Sequence, residues 1–194
     1  MEQAAIGYRL PAIGARVGAV VLGAVLVAIA AQVSIPLPGT PVPMTLQPMA
    51  VLLVGGLLGP QLGALSMILY LAMGAAGLPV FTPTVPLVGI ARLFGPTGGY
   101  LLAYPIAAYA VGALLTPGRR PGVSPAQWAR TALAVLAGLV LIHLGGLAQL
   151  AILTGSVSGA ARLATWPFLL GDLLKLVILV PVLARLTPTV RARL

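Results

Sequence analysis

Long apolar runs dominate this chain and leave almost no charge with which to build a water-facing surface. Eleven basic and two acidic residues are spread over 194 positions, 60% of which are hydrophobic, and the mean hydropathy is +1.11. Runs of this length read as bilayer helices, where each backbone N–H and C=O finds its partner within the segment. They are too uniformly apolar for the alternating strands of a membrane barrel. The 24 glycines and 18 prolines agree, since both are commoner in membrane helices than in soluble ones. The expected fold is an all-α integral membrane protein, a single membrane domain over residues 1–194.

Proline and glycine punctuation divides the chain into six expected spans, at about 12–33, 46–58, 61–76, 98–115, 129–153 and 166–186. Met1 to Pro11 reads as a polar tail; it carries Glu2 and lacks an apolar core, so it is not read as a cleavable signal. Ser34 to Leu46 cannot be helical, because prolines recur too often. It is also too apolar for a solvent loop, so it either lids the bundle or dips into the membrane edge. Gly59-Pro60 splits the second and third runs into two helices, since one kinked helix would be too long for a single span. Gly77 to Gly99 is a second long connection, Thr116 to Trp128 a polar loop, and Thr154 to Thr165 a small Ser/Gly loop.

Six spans put both termini on one side. With that side cytoplasmic, Arg9, Arg16, Arg119, Arg120, Arg130, Arg185, Arg191 and Arg193 lie inside, while only Arg92 and Arg162 lie outside. This excess of arginine follows the positive-inside rule and places the chain in the cytoplasmic membrane. It also explains the net charge of +9 without nucleic acid, for which a clustered basic face and more aromatics would be needed. The two long connections, 1–2 and 3–4, are then extracytoplasmic.

Absences narrow the chemistry. With no cysteine, disulfides and thiolate metal sites are excluded. The Gly95-Pro-Thr-Gly-Gly99 run lacks the Gly-Lys-Ser/Thr ending of a phosphate loop. His143, the single histidine, has no partners at metal-ligand spacing and reads as a hydrogen-bonded helix residue. No paired carboxylates and no credible nucleophile–base pair are present, so no enzyme and no cofactor are expected.

The polar chemistry concentrates in Gly171-Asp-Leu-Leu-Lys175. Asp172 is the only aspartate and Lys175 the only lysine, both within the last apolar run. Ionisable groups at such depth are costly and mark function by default, and a spacing of three puts them on one helix face. Counting from Trp166, Asp172 sits about 9 Å and Lys175 about 13–14 Å in from the outer end, at ~1.5 Å per residue. An outward-opening polar pocket beneath apolar loops suits a small, mainly apolar ligand. The rival reading is an internal ion pair that only fixes the bundle. Arg92 either holds a ligand carboxylate or anchors at headgroups. Gln149 and Gln47 are candidate pocket hydrogen-bonders, and Ser34, Thr40, Thr45 and Tyr100 are candidate hydroxyls that also suit local bonds. In the first span, Ala15, Ala19 and Gly23, then Ala24 and Ala28, form small-residue stripes, suited either to packing within the protein or to docking another membrane subunit.

Taken together, Ser34-Ile-Pro-Leu-Pro-Gly-Thr-Pro-Val-Pro-Met-Thr-Leu-Gln47, Gly77-Leu-Pro-Val-Phe81, Phe94-Gly-Pro-Thr-Gly-Gly-Tyr100 and Gly171-Asp-Leu-Leu-Lys175 resemble the BioY family, the biotin-specific S components of energy-coupling-factor transporters. The resemblance runs from first span to last. It implies six helices around one biotin near the outer face, with the 1–2 loop as lid. Its implied partners are biotin, a transmembrane coupling subunit and two ATP-hydrolysing subunits. It assigns Asp172 and Lys175 to the ureido ring, makes Arg92 a candidate for the valerate carboxylate and Phe81 and Tyr100 apolar wall, and points to docking at Ala24 and Ala28, with Ala19 on the same helix. The expected function is biotin capture and ATP-driven uptake. The alternatives are a self-sufficient secondary carrier for a small carboxylate and an S component for another vitamin.

Overall fold

A computed structural model describes the backbone of residues 2–115 and 124–192, with side chains from residue 13 onward. Arg9, Arg119, Arg120 and Arg193, expected on the cytoplasmic side, lie outside the described side chains. The fold is helical, with one two-stranded ribbon. α1 spans Glu2–Gln32, so the stretch expected as a polar tail continues the helix. Glu2, Gln3, Ala4 and Ala5 are good helix formers, and propensity carries the helix into that stretch.

The proline-rich connection that follows is a miniature hairpin. β1 (Ser34–Ile35) pairs antiparallel with β2 (Met44–Thr45). Gly39, at φ +81°, supplies the left-handed residue of the intervening turn. The hairpin is pinned across the fold by Thr40 Oγ1, which donates to the Leu163 carbonyl at 2.7 Å.

α2 (Gln47–Leu58) and α3 (Pro60–Ala75) meet at Gly59, whose φ of +89° lets the chain reverse while Pro60 starts the next helix. A one-turn helix, α4 (Ala91–Phe94), precedes α5 (Gly98–Leu114), and α6 spans Pro125–Thr154. Where a Ser/Gly loop was expected at 154–165, the chain forms α7 (Val157–Ala164). Ser156 caps it, accepting from the Gly159 N–H at 3.1 Å. A 3₁₀ turn, Trp166–Phe168, then leads into α8 (Leu169–Arg191), which runs past the expected end through Pro181 and Pro188.

Among the described residues, three stretches are long and apolar enough to cross a membrane: Ile13–Gln32, Pro125–Thr154 and Val157–Arg191. Gln47–Leu58, Pro60–Ala75 and Gly98–Leu114 are shorter apolar helices. The twelve residues of α2 reach only about 18 Å along the axis, short of a ~30 Å hydrocarbon core. Large apolar side chains face outward on every side, among them Leu22 at 70%, Ile152 at 82% and Leu170 at 81% exposure. A soluble monomer rarely exposes so much contiguous apolar surface, whereas lipid tails accept it.

Glycine brings the helices into backbone contact. A Cβ on Gly99 would lie 2.1 Å from the Gly145 carbonyl oxygen, and one on Gly145 would lie 2.4 Å from that of Gly99. α5 and α6 thus touch main chain to main chain directly beside the polar residues of the interior. In α1, Ala24 is fully buried with Val27 and Ala31, and a Cβ on the adjacent Gly23 would strike Ser66. The Ala24 side chain thus packs within the protein, where small side chains let α1 approach α2 and α3. Ala19 and Ala28 are half-buried on the same helix.

Gly145→Ala is expected to destabilise the protein by about 1–3 kcal/mol, the usual cost of overpacking, because two backbones must move apart. Thermal unfolding in detergent reads this as a lowered midpoint. Gly18→Ala, with nothing within 4 Å of the new methyl, is the matched control and should not lower it.

Candidate functional site

The inner cavity lies where the hairpin, the start of α2, α4, α5, α6 and α8 converge. Its volume is about 40 Å³. Val42, Phe81, Tyr104, Leu139, Ile142 and Phe168 supply apolar wall, and polar side chains enter in two clusters.

The first cluster is built on α8. Lys175 Nζ donates to Asp172 Oδ1 at 2.8 Å, across one helical turn. The other carboxylate oxygen, Oδ2, lies 2.5 Å from His143 Nε2 on α6. His143 Nδ1 lies 3.2 Å from the Ala164 carbonyl, which also accepts from the Tyr100 hydroxyl at 2.6 Å. That carbonyl belongs to the last residue of α7 and has no partner further along its own helix, so the helix end offers both lone pairs to α5 and α6. Asp172 and Lys175 are buried, at 8% and 6% exposure. Buried charges persist only where paired and hydrogen-bonded, and each of these is.

The second cluster surrounds Arg92, 3% exposed, which α4 turns inward. Its Nη2 donates to the Thr82 carbonyl, and its guanidinium stands 6.0 Å from the centre of the Phe81 ring. Among the described residues, Arg92 Nε and Nη1 are buried without a hydrogen-bond partner, as is Thr97 Oγ1. All three atoms belong to residues lining the same cavity. Burial lowers the pKa of this guanidinium below the usual arginine value. Such unmet donors cost stability unless something accepts from them, so they form a site ready for an anion. Thr97 also precedes the first residue of α5, where the helix dipole adds positive potential.

Gln47 joins the cavity from the first turn of α2 and donates to the Tyr70 hydroxyl at 2.6 Å. Phe81 and Tyr100 line it as well. Gln149 does not: its amide donates to the Leu93 and Gly95 carbonyls, at 3.0 and 2.9 Å, and braces the segment between α4 and α5 from outside the cavity. Thr40 is likewise occupied by Leu163 and is not among the lining residues. Both side chains find their acceptors in main-chain carbonyls at or just past the C-terminal ends of short helices, α7 for Thr40 and α4 for Gln149.

His143, Thr97 and Phe168 line the cavity without having been singled out for it. A signal for His143 was present. The buried residues Gly138, Leu139, Ile142 and Gly146 mark the inward face of α6 at helical spacing, and His143 stands beside it. As an ionisable group in an apolar span it carried the same default expectation of function as Asp172. Thr97 and Phe168 carried no comparable signal.

A helical bundle with a lipid-facing exterior, closed over a cavity with both a carboxylate–ammonium pair and an unpartnered guanidinium, defines a membrane-embedded protein that binds small polar-ended molecules. The chain belongs to the BioY family, whose sequence model matches residues 9–192. It is 38% identical over 159 residues to the probable biotin transporter BioY of Pyrococcus horikoshii, covering 82% of this chain and 88% of that one. With the biotin transporter BioY of Thermotoga maritima it shares 34% identity over 161 residues, 83% and 89% of the two chains. Among solved structures, the S-component for biotin from an ECF-type ABC transporter superposes with a TM-score of 0.79 at 26% identity, over 91% of this chain and 93% of that one.

Thr97→Val separates a ligand group from a structural one. The valine removes a buried hydroxyl that has no partner, so the unliganded protein should unfold at the same temperature or higher, by the equivalent of up to about 1–3 kcal/mol. A clear fall in the unfolding midpoint would mean that the hydroxyl serves the fold.

Proposed function

We propose that this protein is the substrate-specific subunit of an energy-coupling-factor transporter, which captures biotin and carries it across the cell membrane. The observation that carries this reading is the pairing, in one cavity, of the Asp172–Lys175 ion pair with an Arg92 guanidinium that has two nitrogens unpartnered among the described residues. Biotin has matching chemistry: a ureido ring with two N–H donors and one carbonyl, an apolar bicyclic body, and a chain ending in a carboxylate. Asp172 accepts from a ureido N–H and Lys175 donates to the ureido oxygen. Arg92 and Thr97 receive the carboxylate at the start of α5. Phe81 and Tyr100 flank the ring, and Gln47 holds the adjoining wall.

The topology that goes with this function is a single membrane domain crossed six times, both termini cytoplasmic, with the 34–45 hairpin and the 77–97 connection outside as the cover. A water needs about 10–15 Å³ of such volume, so a 40 Å³ cavity admits a few waters and no bicyclic acid. Loading therefore requires the cover to yield. The hairpin suits this, since two residue pairs and the Thr40–Leu163 bond are its main polar ties. ATP hydrolysis falls to partner ATPase subunits, coupled through a transmembrane subunit, and the chain itself performs no covalent chemistry.

Isothermal titration with biotin tests the reading. The purified protein should bind biotin, and Asp172→Asn and Lys175→Met should each weaken binding about 10- to 100-fold, the usual worth of a charge-assisted hydrogen bond in a dry site. No heat at micromolar protein, or unchanged affinity in both variants, rejects the assignment. Uptake into vesicles should require the ATPase module; uptake by the chain alone, driven by a proton gradient, would favour a secondary carrier.

A further inference from the structure

The hydrogen bonds of His143 count the protons in the site. Its Nδ1 faces the Ala164 carbonyl oxygen, which only accepts, so Nδ1 carries a hydrogen. Its Nε2 faces Asp172 Oδ2 at 2.5 Å, where two lone pairs would repel, so a second hydrogen lies between them. Whether that hydrogen belongs to an imidazolium or to a carboxylic acid, the His143–Asp172 pair is neutral as a whole. With the Lys175 ammonium, the cluster carries one positive charge. The other ionisable side chains lining the cavity are Arg92 from α4 and Tyr100 and Tyr104 from α5; none of them is an acid at neutral pH.

We propose that His143 is a positioning residue, which holds Asp172 in its ligand-binding orientation through one shared proton. Losing that proton breaks the arrangement whichever way the ring responds. With Nδ1–H kept, a bare Nε2 meets the carboxylate. With the other tautomer, a bare Nδ1 meets the Ala164 carbonyl. In the first case Asp172 keeps only its Lys175 bond; in the second it keeps the Nε2–H donor, but on a ring that Ala164 no longer fixes.

A second observation places this bond at a boundary. A lipid-facing groove of about 420 Å³ runs between α6 and α8, lined by Leu136, Val140, Leu144, Leu147, Leu173 and Leu176. Leu139, His143 and Asp172 line both this groove and the inner cavity. The His143–Asp172 bond therefore spans the partition between ligand and lipid. It closes the side of the site while it orients the carboxylate.

Two measurements test this, and the proposal rests on the biotin reading only through the choice of ligand in the second. His143 is the only histidine, so ¹⁵N-imidazole labelling of the protein, purified without a histidine tag, reports on one ring. In the wild-type protein at neutral pH, Nδ1 should bear a hydrogen; a bare Nδ1 with the hydrogen on Nε2 alone and an unprotonated Asp172 overturns the proposal. This arm needs no ligand and no variant. In the second, biotin affinity is followed toward alkaline pH. Wild-type affinity should fall about tenfold per pH unit once the linked proton is lost. His143→Gln keeps a donor toward Asp172 but has no proton to lose. It should bind within about threefold of wild type at neutral pH and show a clearly smaller alkaline loss. His143→Phe should bind about 10- to 100-fold more weakly. Lys175, Arg92 and the tyrosines remain in both variants, so any slope due to them persists. The same alkaline loss in wild type and both variants overturns the proposal. If wild type binds no biotin, the biotin reading fails while the ring spectrum still decides this one.

Discussion

A carboxylate inside an apolar bundle is the constraint around which the other parts are arranged. Asp172 is buried in a chain with one other acidic residue, and its charge is tolerable only with donors on both oxygens. Lys175 provides one from its own helix. The other comes from His143 on α6, which is in turn held by the end of α7. Three helices are thereby set relative to one another by a single side chain. Removing one member leaves the rest unpaired in a medium that cannot solvate them, which makes such a cluster an all-or-none feature of the fold.

Two local devices make that cluster reachable. Gly99 and Gly145 bring α5 and α6 into main-chain contact, so that Tyr100 and His143 can address the same carbonyl oxygen. The short helix α7 ends at that carbonyl, and its cap, Ser156, fixes where the helix begins. Arg92 differs from this cluster in kind. Its charge is compensated by one carbonyl and an aromatic face, and two of its nitrogens have no partner. One end of the cavity is thus internally satisfied and the other is not, which gives a ligand a preferred direction. In the proposed reading the unsatisfied end receives an anion and the satisfied end a neutral polar group.

The seven candidate residues that line the cavity, Asp172, Lys175, Arg92, Thr45, Gln47, Phe81 and Tyr100, come from six separate segments of the chain. Their legibility had different origins. Asp172 and Lys175 stood out because hydrocarbon penalises charge wherever it occurs, and a three-residue spacing within one helix needs no tertiary knowledge. Gln149 stood out on the same polarity argument, yet it braces the segment between α4 and α5, because polarity says that a partner is required without saying which. Ala24 belonged to a stripe that fits docking or internal packing equally well, and burial places it inside. α7 was passed over because eight residues with two serines and a glycine nearby resemble a loop in composition, although Ser156 was already in position to cap it.

The sequence alone determined what a bilayer enforces on each residue independently: a helical membrane chain, two helices parted at Gly59-Pro60, a non-helical proline-rich connection, and an ion pair on one turn of the last helix. These follow from transfer energies and backbone hydrogen bonding, which act locally. Only the tertiary structure decided which polar groups meet. That His143 meets Asp172, that the Ala164 carbonyl faces side chains of two helices, and that Arg92 and Thr97 line the cavity all depend on helix rotation and closeness of approach. Rotation and approach are set by many small packing terms acting together across the bundle, and no single segment encodes them.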